Sequence, residues 1–90
     1  MAKMIVTLKV MPSSIDVDLN ELAERIRKKI TPLGAEVGKV DFKPVAFGLK
    51  AIEIVFVCDE SKSVEEIEDA IKEFDDVSSA SVTDMRRALG

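Results

Sequence analysis

The apolar residues of this chain keep changing their spacing. They repeat at every second position, then at helical spacing, then twice more at every second position, again at helical spacing, and last at every second position. A strand turns alternate residues to one face, whereas a helix brings every third or fourth residue onto one stripe. The succession therefore spells β-α-β-β-α-β. Right-handed crossovers place both helices on the same face of one four-stranded antiparallel sheet, with the first and third strands at its centre.

The segments carry their own punctuation. Residues 4–11 form the first strand, with Met4, Val6, Leu8 and Val10 on one face, and Pro12-Ser13-Ser14 stops it. Asp18 is an N-cap with Glu21 three positions on, and Leu19, Leu22, Ala23, Ile26 and Ile30 follow at helical spacing. Acids open this helix and Arg25, Lys28 and Lys29 follow, which suits the helix dipole, and Pro32 and Gly34 end it. Residues 35–43 hold Val37, Val40 and Phe42, whose spacing slips near Gly38 as a β-bulge would make it, and Pro44 closes the strand. Residues 49–58 give the strongest strand pattern, with Lys50, Ile52, Ile54, Phe56 and Cys58 sharing a face. Pro44 to Gly48 reads as the turn that joins these two strands into a hairpin. Ser63-Val64-Glu65-Glu66 is a capping box, Val64, Ile67, Ile71 and Phe74 form the second helical stripe, and Asp75-Asp76 ends it. Residues 77–85 make a weak, Ser-rich strand with Ala80 and Val82 facing inward, and residues 86–90 read as a tail. The expected fold class is α+β, a ferredoxin-like sandwich, and residues 1–90 are read as a single domain.

Such a sandwich hosts many activities, so function has to come from individual side chains. The chain has no His, Trp or Tyr and one Cys, which excludes His-based acid–base chemistry, a His-dependent triad and a His/Cys zinc site. Thirteen basic residues against 17 acidic ones leave a formal charge of −4, a poor match for a domain that neutralises phosphates of nucleic acid. A lone Cys closes no disulfide within the chain, which favours a reducing compartment. The longest apolar stretch, residues 51–58, is broken by Glu53 and too short to span a bilayer, and the first residues lack a signal peptide's apolar core. The expected setting is the cytoplasm.

No catalytic constellation emerges. The pairs Asp16/Asp18, Asp59/Glu60 and Asp75/Asp76 fall at loops and helix ends, where Asp caps and turns, so no metal site is expected. Cys58 has no basic neighbour in sequence and reads as a packed thiol. Phe42 and Phe56 are candidates for the open face of the sheet, as base-stacking residues would be, although the acidic balance opposes RNA binding. Two features stand apart. Phe47 is a large apolar residue between Ala46 and Gly48 in the hairpin loop, which either folds back over the sheet edge or stands exposed as an anchor for a partner. Arg86 and Arg87 put a basic pair beyond the last strand of an acidic protein, as a solubilising end or as a contact for an acidic or phosphate-bearing site.

Around these two features the sequence resembles a known family. The segment Pro44-Val45-Ala46-Phe47-Gly48-Leu49-Lys50 resembles the Pro-x-Gly/Ala-aromatic-Gly-Ile/Leu-Lys segment of the elongation factor 1-beta exchange domain. Val6-Thr7-Leu8-Lys9-Val10-Met11-Pro12, Asp16-Val17-Asp18-Leu19 and Val82-Thr83-Asp84-Met85-Arg86-Arg87 are similar to the short archaeal form, in the same order along nearly the whole chain. The resemblance implies a ferredoxin-like guanine-nucleotide exchange factor for elongation factor 1-alpha, the GTPase that delivers aminoacyl-tRNA to the ribosome. It implies that Phe47 enters an apolar pocket of that GTPase, with Gly48, Leu49 and Lys50 beside it. Eukaryotic members carry a basic residue next to the C-terminus that reaches the Mg²⁺ and phosphate region. That register falls here at Leu89 or Gly90, so Arg86 or Arg87 is the candidate replacement. An exchange factor needs no catalytic base, cofactor, metal or small-molecule substrate of its own, and none is expected.

The rival from another class is a small regulatory ferredoxin-like domain that binds a ligand or self-associates through its open sheet face, with Phe47 packed. An acylphosphatase-like hydrolase would need a phosphate-cradling loop, which Met11-Pro12-Ser13-Ser14 does not supply.

Overall fold

Asp18 and Ser63 set where the two helices begin. In the computed structural model, which describes residues 2–88, the Asp18 carboxylate accepts the Glu21 N–H at 3.2 Å and the Ser63 hydroxyl accepts the Glu66 N–H at 3.2 Å. Each cap satisfies a donor that the first helical turn leaves unpaired. The elements are β1 (Lys3–Pro12), α1 (Leu19–Ile30), β2 (Glu36–Pro44), β3 (Lys50–Asp59), α2 (Val64–Lys72) and β4 (Val77–Ala88). A single 3₁₀ turn, Thr31–Leu33, follows α1 and ends at Gly34, whose φ of 97° lies in the left-handed region open to glycine.

The strands form one antiparallel sheet in the order β2-β3-β1-β4, with β1 and β3 central as the topology predicts. The β2–β3 register slips between Val37 and Lys39, so the bulge expected near Gly38 is present. Alternation along the two central strands delivers the core. Val6, Leu8, Val10, Ile52, Ile54 and Phe56 are all 1% exposed or less, and they face Leu22, Ile26 and Ile30 of α1 and Ile67 and Ile71 of α2. Arg25 ties the layers together at one end. Its guanidinium donates to Asp76 at 2.5 Å and sits 5.8 Å from the Phe74 ring centre.

Four expectations are corrected. Phe56 does not face the open side of the sheet. It pairs with Val6 and Val37, shares the helix-covered face with Ile52 and Ile54, and is fully buried. Phe42 pairs with Ile52 and therefore belongs to the same covered face, at its margin beside α1, where it is 38% exposed. The second helix ends at Lys72 rather than at Asp75-Asp76, and Phe74 packs against the core from a following turn. Finally, Arg86 and Arg87 are not a tail. β4 continues through them, with Arg86 opposite Ile5 and Arg87 opposite Met4. Without that continuation the first residues of β1 would lose hydrogen-bonding partners on one side, and long charged side chains are well suited to an edge strand.

Cys58 is 2% exposed at the end of β3. Burial, reinforced by the Asp59 carboxylate, pushes its thiol above the usual value. A buried, protonated thiol is a weak nucleophile. The expected result is that a thiol reagent labels Cys58 at the rate of unfolding, which a labelling time course with and without denaturant measures.

Candidate functional site

The β2–β3 connection begins with a backbone that fits its side chain poorly. Leu49 N–H donates to the Ala46 carbonyl at 3.3 Å and Val45 N–H donates to the Leu49 carbonyl at 2.8 Å, closing a tight turn around Phe47 and Gly48. Phe47 has φ 61° and ψ 33°, and Gly48 has φ 74°. Two successive left-handed residues at the centre of a hairpin make a type I′ turn, the form whose twist matches the flanking strands. Glycine suits such a position. A bulky aromatic does not, because the left-handed backbone crowds its Cβ against the carbonyl at a cost of about 1–2 kcal/mol.

The turn returns nothing for that strain by packing. Phe47 is 95% exposed, the most exposed large hydrophobic side chain among the described residues. Leu49 is half-buried and Lys50 exposed, so the segment presents an aromatic ring with a cation three residues on. Next to it lies a groove of about 230 Å³, walled on one side by Gly48, Leu49 and Lys50 and on the other by Ser14, Ile15 and Val17 of the β1–α1 loop. Ile15 is 68% exposed. The sequence reading passed over Ile15; its signal was a solitary β-branched apolar residue between Ser14 and Asp16 in a polar loop.

The six residues singled out from the sequence do not form one cluster. Phe47 to Lys50 lie at the end of the sheet where Pro12 meets Val77, whereas Arg86 and Arg87 lie at the other end, opposite Ile5 and Met4. The seven residue steps from Ile5 to Pro12 along β1 span about 23 Å. The two arginines also diverge from each other. Arg86 shares the open face with Asp84 and donates to its carboxylate at 2.9 Å; Arg87 is on the helix side and donates to Glu60 at 2.8 Å. Both are exposed, and such surface pairs are worth about 0–1 kcal/mol, so either guanidinium can be recruited by a stronger partner. The register at Leu89 and Gly90, where a terminal basic residue was sought, lies outside the described residues.

The acidic pairs act locally. Asp18 caps α1, Asp76 holds Arg25, and Asp59 accepts the Ser61 N–H at 2.9 Å, which holds its carboxyl below the usual range. Among the described residues no three His, Cys, Asp or Glu side chains are grouped to hold a metal ion, and no helix is long and apolar enough to cross a membrane.

An exposed aromatic on a strained turn describes a contact surface without saying for what. Comparison with known proteins supplies the answer: the sequence model of the EF-1 guanine nucleotide exchange domain matches residues 5–88. The chain belongs to that family. It is 41% identical to elongation factor 1-beta of Methanothermobacter thermautotrophicus over 90 residues, 99% of this chain and 100% of the relative. It is 43% identical to elongation factor 1-beta of Halobacterium salinarum over 88 residues, covering 97% and 99% of the two chains. The Methanobrevibacter smithii protein of the same name is 38% identical over 90 residues, 99% of this chain and 100% of its own. Membership of the exchange family decides between the two readings left open by the fold, in favour of nucleotide exchange and against a ligand-binding regulatory domain. Both the hairpin turn and the arginine pair fall within the matched residues.

Proposed function

We propose that residues 1–90 act as one exchange unit that releases GDP from elongation factor 1-alpha, and so permits GTP to reload, by pressing Phe47 into an apolar pocket of that GTPase. The observation that carries this is the Phe47 side chain, 95% exposed on a left-handed backbone that disfavours it. Strain of this kind persists where a function requires it. Gly48, Leu49 and Lys50 complete the contact, and Arg86 or Arg87 forms a second one toward the phosphate and Mg²⁺ region. Since those arginines sit on opposite faces of β4, a given partner surface takes only one of them.

In a GTPase the phosphates rest on loop amides and a Lys, with Mg²⁺ bridging. Displacing any of these supports weakens the nucleotide. The exchange domain needs no covalent step, cofactor, metal or direct contact with nucleic acid for this. It only has to bind the nucleotide-free GTPase more tightly than the loaded one, in the cytoplasm where elongation proceeds. Linkage fixes the size of that difference: the factor by which the domain weakens GDP equals the factor by which GDP weakens the domain. Titrating the domain against nucleotide-free and GDP-loaded elongation factor 1-alpha should give affinities that differ at least about tenfold. Equal affinities for the two forms would contradict the proposal.

A further inference from the structure

The two most exposed large hydrophobic side chains among the described residues are Phe47, at 95%, and Ile15, at 68%. They come from loops 32 positions apart in sequence, yet Ile15 stands on the wall of the groove whose opposite wall is Gly48, Leu49 and Lys50. We propose that Ile15 and this groove form a second apolar contact for the GTPase, in which an apolar side chain of the partner enters the groove while Phe47 enters the partner. The proposal rests on the exchange reading given above.

Lys3 pairs with Ala88 and with Asp59, so these residues lie at the end of the sheet away from the groove, about 30 Å along β1 from Pro12. Leu49 and Val17, both half-buried, add apolar surface to the two walls of the groove. Gly48 and Leu49, which line the groove, directly follow Phe47 in the chain, so a partner surface around Phe47 adjoins the groove. Reciprocal insertion removes more apolar area from water than Phe47 alone, and an apolar contact fully enclosed next to an aromatic anchor is where interface energy concentrates. Lys50 on the rim favours an acidic neighbour of the entering side chain in the partner.

The test uses the full chain with Ile15→Asp and measures its affinity for nucleotide-free elongation factor 1-alpha by fluorescence anisotropy, alongside GDP release. Ile15 contributes nothing to the core, so the melting temperature of the variant should match that of the parent chain. The expected result is an affinity loss of about tenfold or more. Unchanged affinity overturns the groove contact and leaves the exchange reading standing. If the parent chain binds the GTPase without accelerating GDP release, the exchange reading falls while Ile15→Asp still decides the groove. If the parent chain does not bind at all, both fall.

Discussion

Phe47→Asn should lower the exchange rate at least about thirtyfold, the effect of losing one dominant interface anchor, and at the same time make the protein more stable. Loss of activity normally accompanies loss of stability; here the turn geometry separates them. Phe47 is 95% exposed, so its removal empties no packed space. Its φ of 61° is a conformation that Asn adopts far more readily than Phe, and Asn followed by Gly is the pair a type I′ turn favours. The expected gain is about 1 kcal/mol, or a melting temperature raised by roughly 4–8 °C for a domain of this size. Thermal unfolding followed by circular dichroism and a nucleotide-release assay on the same preparation check both halves. A variant that loses exchange because it unfolds would show the opposite shift in melting temperature.

Phe56→Ala is expected to have the largest effect on the fold. Phe56 is fully buried on the helix-covered face of the central strand β3, and it is the largest of the completely enclosed side chains. Truncation costs the transfer energy of the ring plus the cavity it leaves, about 3–5 kcal/mol. Against a total stability of roughly 5–15 kcal/mol, that removes a large share of what holds the domain folded. Phe42→Ala is the matched control. It lies on the same covered face at the sheet margin and is already 38% exposed, so its truncation should cost a small fraction of that amount. Urea titrations of the two variants should therefore have well separated midpoints, and equal midpoints would place Phe56 wrongly.

The contrast among Phe42, Phe56 and Phe47 shows what the sequence alone conveys. Strong periodicity in residues 4–11 and 49–58 was enough to place the central strands, their inward faces and the strand order, because only one parity buries Val6, Leu8, Ile52 and Ile54 together. The same parity assigns Phe56 to the core; treating it as an open-face aromatic set residue type above register. The extent of β4 was not legible. Thr83, Asp84, Arg86 and Arg87 make most of its second half polar, since an edge strand with little to bury needs no apolar signature, and only pairing with β1 reveals that it reaches Ala88.

At the site, the sequence singled out Phe47 as an oddity but left its exposure undecided, since a loop aromatic that folds back has the same sequence as one that projects. The left-handed backbone depends on the hydrogen bonds from Leu49 and Val45, which single-residue preferences for Phe oppose. Ile15 was harder to single out for a different reason: beyond its apolar side chain in a polar loop, its place comes from a groove shared with a loop 32 residues away. Arg86 and Arg87, adjacent in sequence, were read as a pair, yet β alternation sends them to opposite faces.

The measurement closest to the central claim is stopped-flow release of a fluorescent GDP analogue from elongation factor 1-alpha at fixed Mg²⁺, with increasing parent chain and, in parallel, Phe47→Asn. The expected result is a large, saturable acceleration by the parent chain that the substitution largely removes. Release rates that stay at the spontaneous value with both proteins folded, or an acceleration untouched by Phe47→Asn, would contradict it.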